Sequence, residues 1–215
     1  KRLYWFTRAT FFPMDYSKFS CEMTSPEYVD YFYSLPASKK ETVLSNQGHL
    51  YKGINASLID AIYDKLYMLA AQDRNVKDHI RLVCHSELKD IQETDGRMGL
   101  QFFHNGKEED YTHSTKAVVL ATGYVTRVPF FLQNVKERLS FDDKGQFAVQ
   151  RNYSIDKNGS SVFVQNAELH THGFNAADLG LGVYRNAVII NSILGYEYYQ
   201  IEEGATFQDF GTKSL

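Results

Sequence analysis

The apolar positions of this chain fall into recognisable periods. Residues 3–7 (Leu-Tyr-Trp-Phe-Thr) and 116–120 (Lys-Ala-Val-Val-Leu) are almost continuously apolar, the pattern of strands buried on both faces. Over residues 55–72, Leu58, Ile62, Leu66 and Leu69 share one helical face, with Asn55 or Ser57 placed to cap it. Residues 80–85, 88–93, 98–103 and 112–120 read as strands. The Asp95-Gly96 and Asn105-Gly106 turns between the last three predict hairpins, with 88–93 and 98–103 as partners. Ser25-Pro26-Glu27 opens a helix, Ser25 as N-cap and Pro26 in the first turn. Its aromatics Tyr28, Tyr31, Phe32 and Tyr33 are expected in a core. A second helix is expected over 38–44, after an irregular loop at 11–26. Further on, 146–155 and 162–165 read as strands around a Lys157-Asn158-Gly159 turn.

The most informative stretch is 161–195. A short strand runs into a loop holding His170, His172, Asn166, Asn175 and three glycines. A helix follows from Leu181, with Tyr184, Val188, Ile190 and Leu194 at helical spacing and Gly195 as its stop. A strand feeding a glycine-rich loop into a helix start turns backbone N–H groups outward, which suits a cofactor. The 116–120 run ends in Ala121-Thr122-Gly123-Tyr124, small residues that let backbone approach a ligand closely.

Composition bounds the picture. The chain has 215 residues, 43% hydrophobic and 14% aromatic, enough for a core in one domain or two small ones. The expected division is residues 1–120 and 121–215. A net charge of −3 gives no reason to expect nucleic acid or an anionic membrane as partner. Cys21 and Cys84 are too few for a disulfide framework and suit a reducing cytoplasm. No apolar run approaches membrane-spanning length. The chain opens on a strand, without a methionine or a signal cleavage site, so a C-terminal fragment of a longer protein is expected.

Several chemistries are set aside. His170 and His172, two apart without clustered carboxylates or thiolates, are a poor metal site. No G-x-S-x-G elbow is present. Tyr184-Arg185 reads as packing plus one ion pair. Arg8 follows the first strand, where doubly wound sheets meet an adenosine ribose; a guanidinium there can fork onto a 2′-phosphate or simply be solvated. Asn46 sits in the Ser45-Asn46-Gln47-Gly48 break, as a helix cap or as a site amide.

Three stretches together resemble one family. They are Asn166-Ala167-Glu168 with Thr171-His172-Gly173 and Arg185; the Ala-Thr-Gly-Tyr segment 121–124; and 11–19 (Phe-Phe-Pro-Met-Asp-Tyr-Ser-Lys-Phe) with 22–33. In this order they are similar to the flavin-dependent N-hydroxylating monooxygenases of siderophore biosynthesis, nearest the lysine and diamine branch. The resemblance implies an α/β fold, part of a flavoprotein with two dinucleotide-binding domains. Residues 1–120 would be the remainder of the NADPH-binding domain, and 121–215 the C-terminal part of the FAD-binding domain. It implies FAD and NADPH as cofactors, and O2 and a primary amine (lysine, putrescine or cadaverine) as substrates. A homo-oligomer is a further candidate state. Implied site residues are Arg8 for the NADPH phosphate, and Thr122, Gly123, Tyr124, Leu179, Gly180 and Leu181 for cofactor. Asn46 would face nicotinamide and substrate, and Cys21 the substrate. Two departures stand out. Cys21-Glu22 replaces the Asn-Glu of ornithine-using relatives, and Gly180 stands where many relatives have Ser. No G-x-G-x-x-G turn is present, so the chain alone is expected to bind flavin weakly or not at all and to have no hydroxylase activity. Competing readings are a flavin disulfide reductase, for which the cysteines lack C-x-x-C spacing, a ketone monooxygenase, and a non-catalytic assembly module using the aromatic N-terminal third.

Overall fold

The computed structural model describes residues 2–123, 127–202 and 204–211. In chain order they form β1 (Leu3–Phe6), α1 (Lys18–Glu22), α2 (Pro26–Ser34), α3 (Ala37–Asn46), α4 (Gly48–Tyr51), α5 (Ala56–Gln72), α6 (Val76–His79), β2 (Ile80–Val83), β3 (Ser86–Thr94), β4 (Arg97–His104), β5 (Glu109–Thr115), α7 (Leu169–His172) and α8 (Gly182–Leu194). Two 3-10 helices, Phe130–Arg138 and Phe174–Ala177, complete the set. The chain divides into two compact units, Lys1–Met14 with Gly53–Tyr124, and Asp15–Lys52 with Val125–Leu215. Residues 15–52, grouped by sequence with the N-terminal domain, thus belong to the same unit as the C-terminal segment.

In the first unit β1 pairs with β2 in parallel, Leu3 opposite Ile80 and Phe6 opposite Val83. β3, β4 and β5 form an antiparallel sheet in that order, hinged at the two expected glycine turns. Leu100 and Phe102 on β4 are its buried apolar residues, and Phe6 stacks on Phe102 with ring centroids 4.3 Å apart. α5 is capped by Asn55, whose side chain accepts the Ser57 N–H. None of its residues is fully buried, and Leu58 remains 53% exposed. The apolar period that makes this helix is therefore only partly covered.

The second unit has two cores. One joins Leu139, Phe147, Val149 and Ile155. The other stacks Tyr28 and Phe32 of α2 against Phe174, with Met23, Leu44, Leu50 and Tyr51 packed around them. Ser25 caps α2 through the Tyr28 N–H, as its sequence requires. Gly195 ends α8 in the left-handed conformation, φ 72°. The residues after α8 are strapped back over α1 and α2. Glu22 accepts the Phe207 and Gln208 N–H groups, and Glu27 accepts that of Ala205.

Three sequence expectations fail. Residues 117–120 are not a strand: β5 stops at Thr115, and Val119 is 93% exposed. An apolar run becomes a central strand only when neighbours supply a ladder, and no described strand pairs with this one. Residues 146–155 and 162–165 make only single bridges, Phe141 with Phe147 and Ser154 with Phe163. Asp156 breaks the ladder by drawing the Ser160, Ser161 and Val162 N–H groups onto its carboxylate. The loop at 11–26 contains α1, nucleated by the Ser17 cap on the Ser20 N–H.

Gly173 cannot be replaced without cost. Its φ is 84°, and an added Cβ would lie 2.9 Å from the Phe32 ring. Gly173→Ala is expected to destabilise the protein by about 3 kcal/mol, joining left-handed strain to overpacking. Gly195→Ala, with the same sign of φ but open space around it, should cost only about 1 kcal/mol. Urea denaturation midpoints of the two variants check the difference.

Candidate functional site

The 166–181 loop is shaped by one buried arginine. Arg185 lies in the first turns of α8 and is 3% exposed. One guanidinium nitrogen donates to the Asn175 and Ala176 carbonyls at 2.7 and 2.9 Å; the other donates to the Asp178 carbonyl at 3.0 Å. Those carbonyls end the 3-10 turn Phe174–Ala177, whose partial negative charge the cation offsets. Glu168, fully buried, approaches the same guanidinium at 4.0 Å. Burial pushes the Glu168 carboxyl up to about 7, against the pull of nearby amides and Arg185. The Glu168 Oε1, Asn175 Oδ1 and Arg185 Nε have no hydrogen-bond partner, and the space among them has no volume for a water molecule. Sequence reading gave Arg185 packing and one ion pair. It missed the three carbonyls, which carry no side-chain signal.

His172 backs the same loop. It is 1% exposed, stacks on Tyr153 at 4.5 Å, and its Nδ1 lies 2.8 Å from the Thr171 hydroxyl. Burial pushes the imidazole down to about 3, so it stays neutral near pH 7. Tyr153 is held at φ 70°, a strained conformation for a bulky side chain. Neighbouring Arg151 pairs with Asp30 at 2.5 Å and bonds the Tyr184 hydroxyl. Among the described residues no group of His, Cys, Asp and Glu could hold a metal.

In front of this buried layer, Leu179 and Gly180 are exposed and Leu181 is buried. Leu181 N–H is fixed by the Asp178 carboxylate at 3.0 Å. No side-chain hydrogen bond caps α8; its first N–H, that of Gly182, is taken by the Leu179 carbonyl at 3.1 Å. Cys21, on α1, and Asn46, the last residue of α3, are both exposed. Asn175 Nδ2 donates to the Met23 carbonyl at 2.9 Å, tying the end of α1 to the loop. The Tyr28–Phe32–Phe174 core, with Leu44 and Leu50 against it, holds α3 and α4 to the same loop.

The other sequence-chosen residues lie in the first unit. Arg8 is exposed in the bend just after β1, at the carboxyl end of the parallel pair. Thr122 and Gly123 are exposed; Gly123 has φ 76° with nothing within 4 Å of a notional Cβ, so backbone there is open to close approach. Tyr124 lies outside the described residues.

A parallel strand pair ending at an exposed arginine, and a glycine-bearing loop entering an uncapped helix, define an α/β protein of the nucleotide- and flavin-binding class. The chain belongs to the L-lysine 6-monooxygenase/L-ornithine 5-monooxygenase family, whose profile matches residues 1–126. It is 46% identical to the putrescine N-hydroxylase of Shewanella oneidensis, covering 97% of this chain and 41% of that protein. It is 39% identical to the alcaligin biosynthesis enzyme of Bordetella pertussis, over 97% of this chain and 45% of the relative. Its fold matches the FAD-bound crystal structure of the cadaverine monooxygenase of desferrioxamine biosynthesis from Erwinia amylovora. There the TM-score is 0.92 at 45% identity, covering 100% of this chain and 50% of the other. The chain spans about half the length of the relatives it matches. The family and the α/β two-nucleotide fold expected from sequence are thereby borne out.

The buried histidine and carboxyl make opposite contributions to pH stability. The lowered His172 pKa gives stability that is present above about 6.5 and lost as pH falls toward about 3. The raised Glu168 pKa gives stability that is present below about 4.5 and lost as pH rises through about 7. The His172 contribution is on the order of 4 kcal/mol. His172→Asn is expected to flatten the acid side of the stability profile. Parallel profiles for both proteins from pH 7 to pH 4, by urea titration, would contradict this.

Proposed function

We propose that these residues are the C-terminal part of an FAD- and NADPH-dependent monooxygenase that hydroxylates a primary amine, a diamine such as putrescine or cadaverine, in hydroxamate siderophore biosynthesis. The observation that carries this reading is the likeness, 46% and 45% along essentially the whole chain, to two proteins whose names specify diamines. Cys21-Glu22, where the resemblance puts Asn-Glu in ornithine-using relatives, weakens the case for ornithine and leaves lysine or a diamine.

The residues fit the cofactors. Arg8 is exposed just after a parallel strand and would fork onto the 2′-phosphate that separates NADPH from NADH. Thr122, Gly123 and Tyr124 would let the chain pass close to a nucleotide. Leu179, Gly180 and Leu181 would present backbone to the flavin ring, with no serine hydroxyl at Gly180. Bound FAD supplies the activation of O2, and the protein supplies placement. The substrate amine is a cation in water, with a pKa of about 10.4. Desolvation beside the exposed Asn46 amide and the small Cys21 side chain would lower that value and free the nitrogen lone pair. An amide can accept from the amine and donate to nicotinamide at once. Both cysteines are free thiols, in keeping with a cytoplasmic enzyme.

Two measurements on the full-length protein test the reading. Hydroxylamine formation coupled to NADPH oxidation is expected to be most efficient with putrescine or cadaverine. Equal efficiency with lysine, or oxidation stimulated by ketones and not amines, would overturn it. Arg8→Ala is expected to raise KM for NADPH about tenfold, the loss of one charged fork, while KM for NADH stays unchanged. Equal loss with both nucleotides would remove Arg8 from phosphate recognition.

A further inference from the structure

Glu168 and Arg185 form a buried pair whose role the proposed chemistry leaves open. The pair faces no exposed surface: Glu168 is fully buried and Arg185 nearly so. Such a pair is expensive to bury and stabilises little unless its hydrogen bonds are used for something specific. Here they are used on backbone. Of the groups around Arg185, three are main-chain carbonyls, from Asn175, Ala176 and Asp178. The last of these directly precedes Leu179-Gly180-Leu181. The Asp178 side chain then turns back to hold the Leu181 N–H, and the Gly182 N–H closes on the Leu179 carbonyl at 3.1 Å. The three carbonyls that lead into Leu179-Gly180-Leu181 are therefore held by one guanidinium, and the tripeptide is closed on its far side by the Asp178 carboxylate and the Leu179 carbonyl.

We propose that Arg185, braced by Glu168, is the positioning residue that sets the Leu179–Leu181 backbone against the flavin, a proposal that rests on the assignment of those three residues to flavin contact. Arg is suited to this because its planar fork reaches two carbonyls from one nitrogen and a third from the other. A lysine keeps the charge and loses that geometry. Small displacements matter at such a site, since a shift of about 1 Å in a positioned group costs about a hundredfold in rate. Glu168 supplies the nearby opposite charge, 4.0 Å from the fork and without a hydrogen bond to it. Its Oε2 is tied to the Ala167 N–H at 2.8 Å, leaving Oε1 toward the guanidinium.

The test uses the full-length flavin-loaded protein with Arg185→Lys, Glu168→Gln and Gly180→Val. The readouts are the FAD dissociation constant by fluorescence titration, the fine structure of the visible flavin band, and hydrogen–deuterium exchange over 174–182. Far-UV circular dichroism and NADPH affinity serve as controls. Arg185→Lys is expected to weaken FAD binding about tenfold, blur the flavin band and speed exchange over 174–182, with both controls unchanged. Glu168→Gln should move the same readouts in the same direction by a smaller factor. A merely structural role would lower the melting temperature without altering the flavin band well below it. FAD affinity within twofold of wild type and an unchanged band in Arg185→Lys would overturn the proposal. If that variant is insoluble, Glu168→Gln decides, and unchanged affinity with unchanged exchange overturns it. Gly180→Val, which puts a side chain where backbone is assigned to meet the flavin, separates the two levels. If it leaves the flavin signals untouched, the contact assignment fails, and the proposal with it. If it moves them while Arg185→Lys does not, only the positioning role fails.

Discussion

The second unit depends on a charge in the wrong place. A guanidinium buried to 3% exposure is tolerated only if its donors are used. Three carbonyls of residues 175–178 use them. That single demand explains why the chain between α7 and α8 makes a tight 3-10 turn and not a loose loop. It also explains why Glu168, at the start of α7, is drawn fully into the interior. The neutral His172 and the strained Tyr153 complete the buried layer, their rings stacked at 4.5 Å. Behind it, Gly173 is the one position where the chain can pass the Phe32 ring.

Aromatic packing then ties distant segments to this layer. Phe174 lies between Tyr28 and Tyr51, so α2 and α4 are fastened to the loop by stacking. The strap after α8 closes over α1 and α2 through Phe210 and the Glu22 and Glu27 carboxylates. The exposed Cys21, Asn46, Leu179 and Gly180 thus ride on segments tied to one aromatic core. The arrangement suits a site in which the protein's work is placement and exclusion of water.

The first unit is organised differently. Its antiparallel sheet is self-sufficient, with ladders on both sides of β4. Among the described residues its parallel part is a single pair, most of the apolar 116–120 run is exposed, and α5 has no fully buried residue. Parallel strands and apolar helix faces are stable when covered on both sides. The chain spans about half the length of the relatives it matches.

Local signals in the sequence determined much of this. The Ser25 and Asn55 caps, the Gly96 and Gly195 turns and the period of α5 all act within a few residues, so the chain reads them without help. The motifs around Thr122, His172 and Arg185 were enough to identify the family. Other features needed the folded chain. Whether 116–120 is a strand depends on partners, and whether 146–165 is a sheet depends on where the Asp156 carboxylate sends its bonds. The grouping of 15–52 with the C-terminal segment rests on aromatic contacts between residues more than a hundred positions apart, such as Tyr28 with Phe174. The part played by Arg185 is likewise tertiary, because its partners are main-chain carbonyls, identical in every residue and placed only by the fold.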